Sequence, residues 1–599
     1  MKEVLKRNEV DPKYTWAMED MYANEELWEQ EYKQLEQYLG KISAKKGKLG
    51  ESADSLAEYF EMCDAAKLLI ERLYVYSNQH LHEDLGNSHY QKLAARAEEL
   101  MIKLDEASAF ANPEILAIPE ETLNQFLEDC ERLQCYEITL QRLLRTKEHI
   151  LSEKEEALLA AAGEVCNAPS NIFAIFNNAD LKFGTITGEN GEPVELTHGR
   201  YISLLESQNR EVRKAVFQQM YGTYSKYKNM LGTIFAANVK QEAFRAKARK
   251  FPSSRAAALF DSHIPEKVYD NLIETIHKSL PLMHRYVALR KKMLGLDELH
   301  MYDLYVPMVS DFKMEVTYEE AKKLVKEGLA PMGEDYLNVL QEGFDNRWID
   351  VYENQGKRSG AYSWGAYGTH PYVLLNYQDN LSNVFTLAHE MGHALHSYYS
   401  DQTQPITYAG YRIFVAEVAS TCNESLLIHY LLKKASSQKE KMYLINYFLE
   451  QFRATIFRQT MFAEFEMKAH QMSADGTPLN GDNLSELYYD LNKLYFGDGL
   501  VVDEDIAMEW ARIPHFYTPF YVYQYATGFS AAIALSKKIM TEGEAGVADY
   551  MKFLTGGCSK DPIDLLRLAG VDMEQPQPVE EAMQLFAELL DEMEKAANL

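Results

Sequence analysis

The chain has 599 residues, more than one hydrophobic core usually holds, and its 46% apolar content predicts a folded protein of two or more lobes. A formal net charge of −29 repels the phosphate backbone of nucleic acids and anionic membrane surfaces, so neither is an expected partner. Six irregularly spaced cysteines do not form a disulfide framework, and no apolar signal segment opens the chain, so reduced thiols and a cytoplasmic location are predicted.

The first part of the chain reads as a series of amphipathic helices. From about residue 23 to residue 159, apolar residues recur every three or four positions, as in residues 98–107. No motif with evident chemistry occurs there, which predicts a helical scaffold. The longest apolar candidate for a membrane span, residues 529–534, is interrupted by Ser530 and is far shorter than the roughly 18 residues that cross a bilayer.

Short strands interrupt the helical pattern at two places. Residues 181–201 contain LKFGTIT and VELT around the turn GENGEP, which predicts a hairpin. Helical periodicity returns at 201–295 and 319–346, and a Gly-, Tyr- and Trp-rich stretch then leads into the predicted strand HPYVLLNY. The predicted fold class is therefore mainly α with a small β element. The predicted domains are an N-terminal helical domain at 1–200, ending in the hairpin, and a second domain at 201–599, which contains the chemical motifs described next.

The strongest chemical signal is the segment His389-Glu390-Met-Gly392-His393. Two histidines four apart on a helix lie on the same face, so their ring nitrogens can bind one zinc ion at about 2.0–2.1 Å. The glutamate after the first histidine leans toward the open position of the metal, where it can take a proton from water. The glycine costs about 1 kcal/mol relative to alanine inside a helix, which indicates close packing.

A catalytic zinc needs a third protein ligand and one open position. His396 shares the helix face, but at about 1.5 Å per residue it lies about 10.5 Å along the axis from His389, too far to bind the same ion. The position that a third histidine occupies in metzincins is Tyr399 in this chain. His396 is therefore predicted to pack beside the site or to support a ligand.

Glu417 and Glu424 are better candidates for the third ligand. They lie seven residues apart in IFVAEVASTCNESLL, an amphipathic helix, and share a face with Ser420 and Thr421. Two carboxylates on such a face need partners. Zinc would be a partner for one of them, and the second ring N–H of a ligand histidine would be a partner for the other.

HEMGHALH followed by FVAEVASTCNE resembles the thimet oligopeptidase and neurolysin family, and most closely its bacterial branch, oligoendopeptidase F. The resemblance implies that Glu417 is the third zinc ligand, with one Zn²⁺ per chain, and that Glu424 supports a ligand. The segment KRSGAYSWG at 357–365 also resembles the family's segment ahead of the zinc helix. For the fold, the resemblance implies two helical lobes around a deep substrate channel, with the β element near the zinc site.

An aromatic segment at 513–528, IPHFYTPFYVYQYATG, matches a further family feature. The resemblance implies that a histidine and tyrosines of this segment donate hydrogen bonds to the oxyanion of the tetrahedral intermediate, a contribution of a few kcal/mol. His515, Tyr521 and Tyr525 are the predicted residues. Tyr517 or Tyr523 could replace one of the tyrosines, because the register against the family is not fixed by the sequence.

The expected activity is hydrolysis of internal bonds in short peptides, with Glu390 as general base and short peptides as the partners. One alternative is a zinc exopeptidase of the carboxydipeptidase type, which a cluster of basic residues for the substrate carboxylate would favour; no distinctive cluster occurs. A second alternative is an inactive peptide-binding relative, which the intact His389, Glu390, His393 and Glu417 oppose.

Overall fold

The computed structural model describes residues 4–310 and 312–598. Helices make up 71% of the structure, about twice the share found in an average globular protein, and the strands are short. The predicted fold class, mainly α with small β elements, is confirmed.

Two compact units share the chain. Unit one consists of Met1–Glu148, Met314–Leu427 and Leu535–Gly570, and unit two consists of His149–Lys313, Ile428–Ala534 and Val571–Leu599. Each unit is therefore assembled from three separate segments. The sequence analysis instead divided the chain once, into domains at 1–200 and 201–599, and this division stays a prediction.

From residue 4 onward, the first segment of unit one contains helices and no strand, and Asn24, Ser52 and Asn87 cap its first three α-helices by accepting backbone N–H groups. Its helices are α1 (Glu25–Ser43), α2 (Ala53–Glu83), α3 (Ser88–Ser108), α4 (Ala111–Ala117), α5 (Glu120–Asp129), α6 (Glu131–Gln134) and α7 (Glu137–Arg145). The predicted helical pattern at 98–107 lies inside α3 and is confirmed.

Unit two begins with a second helical block, interrupted by the predicted hairpin. Its helices are α8 (Glu153–Ile175), α9 (His198–Leu205), α10 (Arg210–Ser225), α11 (Lys228–Ala248), α12 (Ser254–Phe260) and α13 (Glu266–Met293). Strands β1 (Thr185–Thr187) and β2 (Pro193–Glu195) pair antiparallel, with Ile186 opposite Val194. The hairpin prediction is confirmed.

The return of the chain to unit one supplies the elements around the histidine motif. They are α14 (Tyr318–Gly328), α15 (Glu334–Asp345), β3 (Ile349–Asp350), β4 (Tyr362–Trp364), β5 (Tyr372–Leu374), α16 (Leu381–Thr403), α17 (Ile406–Ala409) and α18 (Ile413–Lys434). The sheet order is β3-β5-β4, with β5 parallel to β3 and antiparallel to β4. The strand predicted in HPYVLLNY is therefore the central one.

The last part of the chain completes both units with α19 (Gln438–Gln451), α20 (Arg458–Ala474), α21 (Gly481–Phe496), α22 (Tyr523–Glu542), α23 (Glu544–Leu554), α24 (Pro562–Leu568) and α25 (Gln577–Ala596). Single turns of 3-10 helix lie at Arg7–Glu9, Pro12–Tyr14, Met18–Asp20, Thr146–His149, Met301–Asp303, Ala330–Met332 and Pro514–Tyr517, with a longer one at Glu504–Arg512. Phe176–Asp180 and Phe452–Phe457 are π-helical.

The three-stranded sheet joins the N-terminal helices to the motif helix within unit one. Tyr372 and Leu374 of β5 belong to the hydrophobic core that α1, α2 and α3 build around Trp28, Leu73 and Leu100. Both β4 and β5 also contact α16. The N-terminal scaffold therefore supports the sheet on which the motif helix rests.

One long helix has an apolar character that the sequence analysis did not identify. The helical stretch at residues 154–180 is long and apolar enough to cross a membrane. Its most apolar stretch of 18 residues has a mean hydropathy of 1.2, and 6% of that stretch is buried. The sequence analysis singled out residues 529–534 instead, because glutamate, asparagine, proline and serine residues at 164, 167 and 169–171 interrupt the apolar run at 154–180. A single helix of this kind is weak evidence for a membrane span.

Candidate metal centre

Helix α16 presents His389 and His393 side by side. Asn380 caps the helix by accepting the N–H of Asn383 at 3.0 Å, and the buried face that orients it is apolar. The two imidazole rings lie 4.8 Å apart between centroids and are inclined by 84°. The predicted convergence of the two histidines on one side of the helix is therefore present.

Gly392 lets α18 cross α16 in close contact. A Cβ atom on this residue would lie 2.6 Å from Cα of Ser420 and 2.9 Å from the carbonyl oxygen of Ala419, distances that no side chain tolerates. The close crossing brings Glu417, one turn before Ser420, to the histidines. The packing function predicted for this glycine has a specific partner in the backbone of α18.

Glu417 completes a three-residue cluster with the two histidines. Its Oε2 lies 3.3 Å from Nε2 of His389 and 3.6 Å from Nε2 of His393, and the three ligand atoms lie within 4.8 Å of one another. Ligand atoms at about 2.1 Å from a tetrahedral zinc ion are about 3.4 Å apart. The residues fit a small divalent metal ion with one coordination position left open.

The second glutamate of α18 contacts the other nitrogen of a predicted ligand. Nδ1 of His389 lies 2.5 Å from Oε1 of Glu424, so Nε2 is the nitrogen that faces Glu417. Burial lowers the pKa of His389, but hydrogen bonds to Glu417 and Glu424 raise it well above its usual value. Burial raises the pKa of Glu417, yet its contacts with His389 and His393 bring it below the usual range. These shifts reflect the direct contacts between the imidazole rings and the carboxylates, contacts that a metal ion would replace with coordination bonds.

Glu390 is buried, with 7% of its surface exposed. Burial raises its pKa, His389 and His393 lower it, and Glu417 and Glu424 raise it, so that the net direction is upward. A carboxylate with a raised pKa is a stronger proton acceptor at neutral pH than an exposed one. The side chain is therefore suited to general-base chemistry.

His396 lies outside the metal cluster. Only 1% of it is exposed, and its ring stacks on Tyr411 at 3.8 Å with an angle of 6°. Burial, with a contribution from His393, lowers its pKa to about 3, so the ring is neutral. Among residues 4–310 and 312–598, no hydrogen-bond partner reaches its Nδ1. The ring packs behind the motif.

The aromatic residues predicted for the oxyanion lie together in unit two. Oη of Tyr525, in the first turn of α22, lies 3.3 Å from Nε2 of His515, which follows Pro514 in a 3-10 turn. The ring of Tyr521 stacks on His515 at 6.0 Å and meets Tyr525 edge-on at 5.6 Å. Burial and the nearby Arg458 lower the pKa of His515. The three residues form one cluster of polar aromatic groups, here called the aromatic cluster.

The two alternative tyrosines pack away from this cluster. Tyr517 stacks on Phe173 at 4.3 Å. Tyr523 is 2% exposed and packs against Tyr269 at 5.0 Å. In this structure both rings contribute to the hydrophobic packing of unit two.

Two residues near the predicted positions escaped the sequence analysis. Glu466 is fully buried, and its Oε1 accepts the N–H of Phe520 at 2.7 Å, just before Tyr521. Tyr411 is the stacking partner of His396, and its hydroxyl lies 3.0 Å from Oγ of Ser397. Neither residue belongs to a spaced motif, so no signal in the sequence distinguishes it from an ordinary helix or loop residue.

Comparison with known protein families gives two matches. The profile of Peptidase family M3 matches residues 203–585, more than half of the chain, and the profile of Oligopeptidase F matches residues 114–183. The first match contains both the metal cluster and the aromatic cluster.

Individual proteins are similar over most of their length. Oligopeptidase PepF of Bacillus subtilis (strain 168) is 51% identical over 589 residues, which cover 98% of this chain and 88% of the relative. Oligoendopeptidase F homolog of Lactococcus lactis subsp. lactis (strain IL1403) is 43% identical over 590 residues and covers 98% of both chains. The crystal structure of oligoendopeptidase-F from Enterococcus faecium has a TM-score of 0.75 at 38% identity and covers 96% of this chain and 99% of that one.

Proposed function

Because the chain belongs to peptidase family M3, we propose that it is a zinc-dependent endopeptidase that hydrolyses internal bonds of short oligopeptides. Membership of the family makes it a metallopeptidase that acts on peptides. The observation that carries the proposal is the convergence of His389, His393 and Glu417 within 4.8 Å, next in sequence and space to the buried carboxyl group of Glu390.

The proposed metal is one zinc ion per chain, held by His389, His393 and Glu417. Two imidazole nitrogens and one carboxylate oxygen form a donor set typical of catalytic zinc sites that keep one position open. When bound, zinc would polarise the scissile carbonyl group and make water more acidic. Glu424 would hold the Nδ1 proton of His389 and so keep Nε2 free for the metal.

The protein's own residues then move the protons. We assign Glu390 as the base that accepts a proton from the attacking water and delivers it to the leaving amine. His515, Tyr521 and Tyr525 are assigned as hydrogen-bond donors to the developing oxyanion. The proximity of these three side chains to one another supports their acting as a set.

Peptides blocked at both ends distinguish the endopeptidase from the carboxydipeptidase alternative. We expect an N-acetylated, C-amidated peptide to be cut at an internal bond, and a chelator to abolish the reaction. Mass spectrometry of the products measures this directly. Release of dipeptides from a free C-terminus alone would favour the exopeptidase, and binding without turnover by the zinc-loaded protein would favour the inactive relative.

Substrate length is a separate expectation, which comes from the channel that the family resemblance implies. A peptide ordered in a channel loses about 1–2 kcal/mol of conformational entropy per residue, so long chains are at a disadvantage. We expect short unstructured peptides to be cleaved much faster than unfolded casein at equal bond concentration. Comparable rates would contradict an enclosed site while leaving the peptidase activity intact.

A further inference from the structure

A cavity in unit one lies along the part of the motif helix that follows the predicted metal ligands. Ser397 and Asp401 follow His393 at intervals of four residues, so the three side chains lie on one face of α16. At about 1.5 Å per residue, they are about 6 and 12 Å along the helix axis from His393. The cavity has a volume of about 390 Å³, within the range of sites that hold small ligands.

The walls combine aromatic, aliphatic and charged groups. The N-terminal helices contribute five residues to the cavity: Lys67, Ile70, Glu71, Tyr74 and Met101. Trp364 lies within the KRSGAYSWG segment, Tyr367 lies two residues after it, and Tyr411 lies between α17 and α18. Aromatic faces attract a cation electrostatically, and aliphatic walls accommodate the stem of a long side chain. The surface is therefore suited to a group that is apolar along its length and positively charged at its end.

Asp401 is the charged group in the cavity that lacks a partner. It is partly buried, and no residue within 4–310 and 312–598 forms a hydrogen bond or ion pair with its carboxyl group. Glu71, in contrast, lies 3.6 Å from Nζ of Lys67 and accepts the N–H of Tyr367 at 3.3 Å. A partly buried carboxylate that forms no direct ion pair is unfavourable, which leaves a place for a cation supplied by a ligand.

The charge balance of the cavity also favours a cation. Asp401 and Glu71 contribute two carboxyl groups, and Lys67 contributes one ammonium group, whose Nζ also donates to the carbonyl oxygen of Ile406 at 3.0 Å. One negative charge is left uncompensated when both carboxyl groups are ionised. The net charge of −29 on the chain adds long-range attraction for basic peptides.

We propose that this cavity is a specificity site for an arginine or lysine side chain of the peptide substrate, which pairs with the carboxylate of Asp401. The proposal rests on the peptidase function proposed above. An extended peptide advances about 3.3 Å per residue, so the basic residue lies within about four positions of the scissile bond. Tyr411 connects the cavity to the motif: it lines the cavity, its hydroxyl lies 3.0 Å from Oγ of Ser397, and its ring stacks on His396, three residues after His393.

The test uses two series of blocked peptides that differ in one residue, arginine or its uncharged analogue norleucine, placed in turn at each position around the scissile bond. The quantity measured is the ratio of kcat/KM for the two peptides. At one position we expect the wild-type enzyme to prefer arginine by about tenfold or more, because arginine can form a hydrogen bond between charged groups with Asp401 and norleucine can form none.

Two substitutions in the cavity change the ratio in opposite directions. Asp401→Asn removes the counter-charge and should bring the ratio close to one. Lys67→Met removes the competing ammonium group and should raise the ratio above that of the wild type. Asp490→Asn, an exposed position on α21 in unit two, makes the same change of charge as Asp401→Asn and should keep the wild-type ratio. Thermal unfolding and metal content of each variant show that the fold and the metal site are intact.

The outcomes separate this proposal from the proposed function. If blocked norleucine peptides are cleaved but no position prefers arginine, or if Asp401→Asn keeps the wild-type ratio, the specificity site is ruled out and the peptidase stands. Dependence on Asp401 that appears only with peptides carrying a free N-terminus would assign the cavity to a terminal amine and overturn the side-chain proposal. Failure of the metal-loaded enzyme to cleave any peptide would refute the proposed function itself.

Discussion

The metal cluster and the aromatic cluster achieve their geometry in different ways. His389 and His393 are separated by one turn of α16, and Glu417 is added by a single helix crossing at Gly392. The aromatic cluster instead joins a 3-10 turn, an irregular segment and the first turn of α22. Regular helices set distances by their own geometry, whereas a site on irregular backbone depends on the contacts that hold that backbone in place.

The supports of the irregular segment are buried polar and aromatic groups. Phe520 adopts a positive φ of 50°, an unfavourable conformation for a residue with a side chain, and its N–H donates to the buried carboxyl group of Glu466. Burial raises the pKa of Glu466 well above its usual value. The position of Tyr521 thus depends on a residue more than fifty positions earlier in the chain.

The largest effect is expected from Glu390, the proposed base beside the metal cluster. Glu390→Gln keeps the shape of the side chain but cannot accept the proton, so kcat should fall by about 10²–10⁴. Metal content, measured on the purified variant, should be unchanged because Glu390 is not a ligand. Glu486→Gln, at an exposed position of α21, is the matched control. Turnover of Glu390→Gln near the wild-type rate would refute the role of this residue.

Substitutions in the aromatic cluster should lower kcat nearly as strongly. They also test which tyrosines of the segment act on the oxyanion. Tyr525→Phe removes a hydroxyl that we assign to the oxyanion, and kcat should fall by about 10²–10³ with a smaller change in KM. Tyr523→Phe makes the same chemical change two residues away, at a buried position, and should alter kcat only slightly. A larger loss in Tyr523→Phe would exchange the two assignments.

Substitutions of the two glutamates of α18 should lower metal affinity by different amounts. Loss of a residue that supports a ligand typically lowers affinity by about 10–100-fold, and we expect this for Glu424→Ala. Glu417→Ala removes a ligand and should exceed that loss. Competition with a chromogenic chelator measures both variants on one scale. The reverse order would assign the coordinating role to Glu424.

The close crossing of α16 and α18 can be tested by adding a side-chain atom at Gly392. A Cβ atom there would overlap the backbone of α18, so Gly392→Ala should destabilise the protein by about 1–3 kcal/mol. Gly163→Ala on α8 meets no atom within 4 Å and should keep or raise the melting temperature, because alanine favours helices. Equal melting temperatures for the two variants would mean that the crossing is not tight.

The smallest expected effect is a pH dependence of substrate choice at Asp401. Burial and, to a smaller extent, Glu71 raise the pKa of Asp401 and Lys67 lowers it, so that the pKa is about 7; Tyr367 and Tyr411 also line the cavity. The ionised form, which attracts a cation, predominates above this pKa, so the arginine-to-norleucine ratio should rise several-fold from pH about 6 to about 8. Taking a ratio cancels the titration of the general base. A ratio that is constant over this range would contradict a titrating Asp401.

Much of the fold and part of the candidate site could be predicted from the sequence. The hairpin at β1 and β2, the helices of the N-terminal scaffold and the shared face of His389 and His393 depend on spacing within one element. The interleaving of chain segments in the two units, the partners of Gly392 and the apolar helix at 154–180 were not predicted. The helix pattern proposed Glu417 and Glu424 together, and only the family resemblance chose Glu417 as the ligand, because its distance from the histidines depends on how two helices cross.

The sequence by itself determined the mainly helical fold and the pairing of two histidines with a glutamate between them, because local periodicity follows from the covalent geometry of the chain. The tertiary structure alone decided that Glu417 and Glu424 reach opposite nitrogens of His389, and that no hydrogen bond or ion pair from residues 4–310 and 312–598 reaches the carboxyl group of Asp401 in its cavity. These features depend on distances between elements far apart in the chain, and such distances are set by side-chain packing, which leaves no periodic pattern in the sequence.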